Sequence, residues 1–177
     1  MEVMHIIVQG QSMRLVGLPL KVGDRARNVR VIGNNLSPVL PLTQSEGKIR
    51  LFLTVPSLDL SPCSAIAKTF NGMLAAMNGS VASFLISADL PFAQVRWQAA
   101  ADITNITLLS DYRDMDFARN WGLLIQELGL LAGAVFVVNS TNVVTYREIV
   151  SGLTAEPDHE AAFVALSAEI ARFNASL

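Results

Sequence analysis

The spacing of apolar residues changes period several times along this chain, and each change marks an element. Residues 3–8 and 13–16 are short apolar runs on either side of Gly10-Gln11, which predicts an N-terminal hairpin. Residues 29–32 read as a strand, and 33–44, rich in Asn, Pro and Ser, read as a loop. The run 49–55 suits a buried strand. Then the period lengthens: Ile66, Phe70, Met73, Leu74 and Met77 recur every three or four residues, giving a helix one buried face. Ser61-Pro62 predicts its start, with the serine as N-cap and the proline at the first helical position.

Residues 81–86 return to a strand pattern. Asp89 is expected to cap a helix running to about Ala100, with Pro91 in its first turn. Residues 106–109 are short and strand-like, and 115–121 make a helical turn or two. Residues 134–138 and 143–149 bracket the polar turn Asn139-Ser140-Thr141-Asn142, a second hairpin. Glu156-Pro157 is expected to open a last helix, in which Phe163, Leu166, Ile170 and Phe173 share one stripe.

This order predicts an α/β fold with a mixed sheet between helix layers. A right-handed crossover makes 49–55 and 81–86 parallel neighbours. Ligands and chemistry gather at the carboxyl ends of such strands, and Cys63 lies in the turn leaving the first of them.

Composition narrows the classes. A chain of 177 residues with no repeat or linker is read as one domain, 1–177. Hydrophobic residues make up 51% and charged residues 16%, which fits a compact domain with an oligomer interface and excludes a disordered chain. No apolar run approaches the roughly 20 residues of a membrane span, and Met1-Glu2-Val3-Met4-His5 shows no signal-peptide pattern, so a cytoplasmic protein is expected. A net charge of −2, with Arg25, Arg27 and Arg30 as solvated surface, argues against nucleic acid.

One cysteine rules out an internal disulfide and a multi-cysteine zinc site. His5 and His159 lack metal-ligand spacing and are read as surface residues. Asp111, Asp114 and Asp116 lack the further ligands of a calcium loop, and no glycine-rich phosphate loop follows a strand. No metal and no cofactor are therefore expected.

Cys63 carries the chemistry. A thiol attacks as thiolate, and a first-turn position faces the positive end of the helix dipole and its unpaired N–H groups. Pro56 and Pro62 stiffen the loop that presents the sulfur. The alternative is a small buried hydrophobe, and spacing alone leaves both readings open.

A resemblance shifts the balance. Val55-Pro56-Ser57-Leu58-Asp59-Leu60-Ser61-Pro62-Cys63, continuing to Phe70-Asn71, resembles the peroxidatic segment of the thiol peroxidases, a branch of the peroxiredoxins. Ile86-Ser87-Ala88-Asp89-Leu90-Pro91-Phe92-Ala93-Gln94 is similar to that family's most distinctive stretch. Val22-Gly23-Asp24, Thr107-Leu108-Leu109-Ser110 with Arg113, Phe117 and Gly122, and Thr154-Ala155-Glu156-Pro157-Asp158 follow in order.

The resemblance implies a thioredoxin-like fold with an N-terminal hairpin. It further implies reduction of hydrogen peroxide and organic hydroperoxides, a homodimer, and thioredoxin or a small-molecule thiol as reductant. Cys63 would be catalytic, in an active-site loop with Pro56, Ser61 and Pro62. Arg96 matches a family arginine near the active site; it and Arg113 are the candidate supporting residues, with structural ion pairing as the alternative. Trp97 and Trp121 are read as packing or pocket residues.

Departures accompany the matches. Leu60 stands where the family has threonine or serine, Gly133 where it has the arginine that steadies the thiolate, and Gln98 where it has the resolving cysteine. Ala26-Arg27-Asn28-Val29 replaces an Ala-Pro-x-Phe pattern. Three functions follow: a weakened one-cysteine peroxidase, a non-catalytic dimeric binding module on the same fold, or a peroxide sensor.

Overall fold

A computed structural model describes residues 4–77 and 79–177; residues 1–3, which include the expected hairpin start at Val3, lie outside it. The N-terminal hairpin pairs β1 (His5–Val8) with β2 (Gln11–Val16), His5 opposite Arg14 and Val8 opposite Gln11. Gln9 and Gly10, with φ of 49° and 79°, supply the left-handed pair that a tight hairpin turn takes. Short β3 (Val31–Ile32) and β4 (Pro38–Val39) follow, then α1 (Pro41–Gln44), so the expected loop 33–44 carries two small elements.

The centre is β5 (Ile49–Thr54), α2 (Ser61–Ala75) and β6 (Val81–Ser87). α3 (Pro91–Ala101), β7 (Thr107–Ser110) and α4 (Asp116–Trp121) come next. β8 (Leu124–Ile125) and β9 (Leu130–Leu131) precede the second hairpin, β10 (Ala134–Val138) and β11 (Val144–Ile149), and α5 (His159–Ala175) ends the chain.

Seven strands form the main sheet in the order β11-β10-β5-β6-β7-β3-β4. β5 runs parallel to β6, Ile49 opposite Val81 through Thr54 opposite Ile86, and β6 runs parallel to β7, as the crossover rule requires. β10 is antiparallel to both β5 and β11. A smaller sheet, β1-β2-β8-β9, joins the N-terminal hairpin to the segment after α4. The fold is thus the thioredoxin-like α/β arrangement with an N-terminal hairpin.

β5 is buried at all six positions, because strands flank it and helices cover it. On one face Phe52 meets Phe84, Phe117 and Trp121 at ring-centroid distances of 5.3, 5.9 and 4.8 Å. On the other, Ile66, Phe70 and Leu74 of α2 and Ala162 and Leu166 of α5 pack on Leu51, Leu53, Val135 and Val137. Each large side chain so buried contributes about 1.5–3 kcal/mol. Arg50 is fully buried in the same strand. Its guanidinium donates to Ser45 Oγ, Asn139 O and Leu42 O at 2.9, 3.0 and 3.1 Å, which satisfies it without a carboxylate. No helix among the described residues is long and apolar enough to cross a membrane.

Three helix starts differ from the sequence reading. Leu60, not Ser61, is the N-cap of α2, with extended backbone (φ −81°, ψ 121°) and no side-chain cap. Ser61 and Pro62 are the first two helical residues. Proline is accommodated there because its missing N–H belongs to the turn whose amides have no intrahelical partner. By the same logic Pro91 opens α3 and Leu90 caps it, leaving Asp89 one residue too early to act as cap. α5 begins at His159, two residues beyond Pro157, and Asp158 caps it by accepting from the Ala161 N–H at 2.9 Å. Within its expected stripe Leu166 is buried, but Phe163 is 37% exposed.

Candidate active site

β5 ends at Thr54, and an irregular segment carries the chain to α2, where Cys63 is the third helical residue. The thiol therefore sits at the carboxyl end of the central parallel strands, in a first helical turn. It is 1% exposed. Pro56 is buried beside it, whereas Ser61 and Pro62 face solvent.

The sulfur borders a cavity of about 10 Å³, room for one water-sized molecule. It is lined by Leu53, Val55 and Ile66, by Gly133, Ala134 and Val150, and by Pro157 from the segment before α5. No charged side chain is among the described residues that line it. Burial pushes the Cys63 thiol above its usual range. A hydrogen bond from the Ser57 backbone opposes this, and the negative charge of Asp89 adds to it. The helix terminus is present, but desolvation prevails.

Leu60 packs as a partly buried apolar residue against the α2 side of the core. Gly133 lines the cavity, and a Cβ there would come within 2.9 Å of Val150 Cγ2, so a larger residue requires Val150 to move. Arg96 and Arg113 are exposed, and neither lines the cavity. The Arg113 guanidinium lies over the Tyr112 ring, 5.7 Å from its centroid.

Trp97 is close to the site by another route: its Nε1–H donates to Ser64 Oγ at 2.9 Å, tying α3 to the residue after Cys63. Trp121 is core, with its Nε1–H on Arg27 O at 3.1 Å. Gln98 donates to Ile103 O at 3.1 Å at the end of α3. His159 is half-buried rather than a surface residue, its ring 5.0 Å from that of Phe70.

Two carboxylates near the strand ends serve loops. Asp111 accepts from the Phe117 and Ala118 N–H groups at 3.1 and 2.9 Å at the start of α4, and burial pushes its pKa up to about 6. Asp89, expected to cap α3, instead accepts from Ser57 Oγ, Leu58 N and Ser87 Oγ at 2.7, 2.8 and 2.7 Å. The signal for this was in the sequence. A proline at position 91 makes residue 90 the cap and frees the carboxylate at 89. No group of three or more metal-ligating side chains occurs among the described residues.

The Redoxin family profile matches residues 21–163. A thiol peroxidase of Halalkalibacterium halodurans is 46% identical over 165 residues, 93% of this chain and 98% of its own. One of Clostridium acetobutylicum is 42% identical over 157 residues, 89% and 94% of the two chains. Among solved structures, a peroxiredoxin-like protein from Aquifex aeolicus is similar with a TM-score of 0.84 at 34% identity, over 93% of this chain and 96% of that one. A thiol peroxidase from Chromobacterium violaceum shares the fold, with a TM-score of 0.85 at 21% identity over 95% and 98%.

Proposed function

Because this chain belongs to the thiol peroxidases of the peroxiredoxin family, and carries a single cysteine, we propose that it is a one-cysteine peroxidase in which Cys63 is the reacting thiol. The observation that carries this reading is the place of Cys63: third residue of α2, in the first helical turn after β5. The thiolate attacks one peroxide oxygen. An S–O bond forms, the O–O bond breaks, and the leaving oxygen departs with a proton as water or an alcohol, leaving a sulfenic acid. With no second cysteine in the chain, an external thiol must complete the cycle, either thioredoxin or a small-molecule thiol.

Leu60 and Gly133 make this a weakened enzyme. A hydroxyl and a guanidinium in their places would donate charge-assisted hydrogen bonds to the sulfur and the departing oxygen. Each is worth about 1.5–3 kcal/mol, or roughly one to two powers of ten in rate. The whole chain acts as one domain and pairs as a homodimer, for which the exposed Leu90, Phe92 and Val95 at the start of α3 offer apolar surface. Sedimentation showing only monomer at tens of micromolar would remove the dimer.

A second reading, a non-catalytic paralogue or peroxide sensor, draws on the uncharged cavity and the raised thiol. One experiment separates them: intact-mass spectrometry after stoichiometric hydrogen peroxide with a sulfenic-acid trap, alongside Cys63→Ser. Trapping faster than for free cysteine, absent in the variant and followed by turnover with thioredoxin, is expected for the peroxidase. Trapping no faster than free cysteine sinks both enzyme and sensor.

A further inference from the structure

The stretch between β5 and α2, whose Pro56 lines the cavity at Cys63, is irregular and belongs to no strand or helix. Asp89, from the turn after β6, ties it down. We propose that Asp89 is a positioning residue for Cys63: its carboxylate, through Ser57 Oγ and the Leu58 N–H, fixes the loop that leads to the sulfur. The inference rests on Cys63 being the reactive thiol.

The carboxylate is itself well supported. Oδ1 accepts from Ser57 Oγ at 2.7 Å, and Oδ2 accepts from the Leu58 N–H at 2.8 Å and from Ser87 Oγ at 2.7 Å. Charge-assisted bonds of this kind are roughly twice as strong as neutral ones. Behind it, the Ser110 hydroxyl donates to the Asp89 carbonyl. Fully buried Gln94 donates to Ser87 Oγ and Leu109 O at 3.1 and 2.9 Å. The ends of β6 and β7 and the first turn of α3 therefore aim one carboxylate at the loop that serves the thiol. A misplacement of about 1 Å at a reacting site is enough to cost rate.

Geometry and charge oppose each other here, which makes the role separable. Asp89 steadies the loop, while its negative charge disfavours the thiolate. Asp89→Asn keeps the contacts: its amide oxygen takes the Leu58 and Ser87 donors and its nitrogen donates to Ser57 Oγ, with the charge gone. Asp89→Ala removes the charge and the contacts together. The cavity lining contributes no other charge toward the sulfur.

The test measures Cys63 alkylation by iodoacetamide against pH, and sulfenic-acid formation with hydrogen peroxide, in the full chain and in D89N, D89A and S57A, with melting curves for each. D89N is expected to titrate at lower pH than the parent and to react faster at pH 7. D89A is expected to react about tenfold more slowly than D89N, both being neutral at 89. S57A, which keeps the charge, is expected to react about threefold more slowly than the parent. Identical profiles for D89A and D89N overturn the proposal. If D89A does not fold, a profile of S57A equal to the parent's overturns it. Should the alkylation order hold while peroxide oxidises none of the proteins faster than free cysteine, positioning stands and the peroxidase reading falls.

Discussion

The starts of α2 and α5 put the same helix physics to opposite uses. At α5 the unpaired amides are filled: Asp158 accepts from the Ala161 N–H, Glu160 lies in the first turn, and Glu148 accepts from the Asp158 N–H at 3.0 Å. At α2 the cap residue is Leu60, there is no side-chain cap and no acid in the first turn, and a buried thiol occupies the third position. One end spends its positive field on carboxylates and gains stability; the other leaves it facing a sulfur. Yet the Cys63 thiol is raised, not lowered. A helix terminus offers a nearby anion about 0.3–1 kcal/mol, less than desolvation removes at this depth. An open helix terminus by itself therefore does not lower a thiol buried this deeply.

The largest expected effect is in the pH profile of Cys63 itself. Burial raises the Cys63 thiol, so less of it is ionised at pH 7 than of free cysteine. Only the thiolate alkylates, so the rate should climb more than about 30-fold between pH 7 and its plateau, with the plateau reached at higher pH than for free cysteine. A plateau below pH 8 would show that the α2 terminus outweighs burial after all.

Next in size is Leu60→Thr. The extended backbone at 60 is that of an N-cap, so a threonine hydroxyl can accept from the Cys63 N–H and donate to the sulfur. Stopped-flow oxidation should quicken about tenfold, the value of one charge-assisted bond. An unchanged rate would mean that the departure at 60 is not what limits the site. Smallest is Asp158→Ala at the filled terminus. Urea unfolding should show a loss of about 1 kcal/mol, with the Cys63 profile unmoved. A coupled change in that profile would show that the two helix starts are not independent.

The α/β order could be read from the chain because its period changes are local. The runs at 49–55 and 81–86 and the three- and four-residue steps from Ile66 to Met77 place β5, α2 and β6 almost to the residue. The caps were less legible. Serine at 61 and aspartate at 89 are good capping types, but α2 begins at Ser61 itself and α3 at Pro91, so the cap is a leucine each time. Residue type alone could not decide between a capping carboxylate and one reaching across to another loop.

Chain order, the parallel pairing around β5, and a lone thiol at the start of a helix follow from the sequence by itself, because spacing and composition determine them. The sulfur's surroundings do not. Gly133, Val150 and Pro157 line the cavity at Cys63 from stretches far along the chain, Asp89 adds its charge, and the cost of burying a thiol is a sum over such neighbours. Only the tertiary structure brings those neighbours together, so it alone decided that the thiol is buried beside a cavity lined by no charged side chain among the described residues.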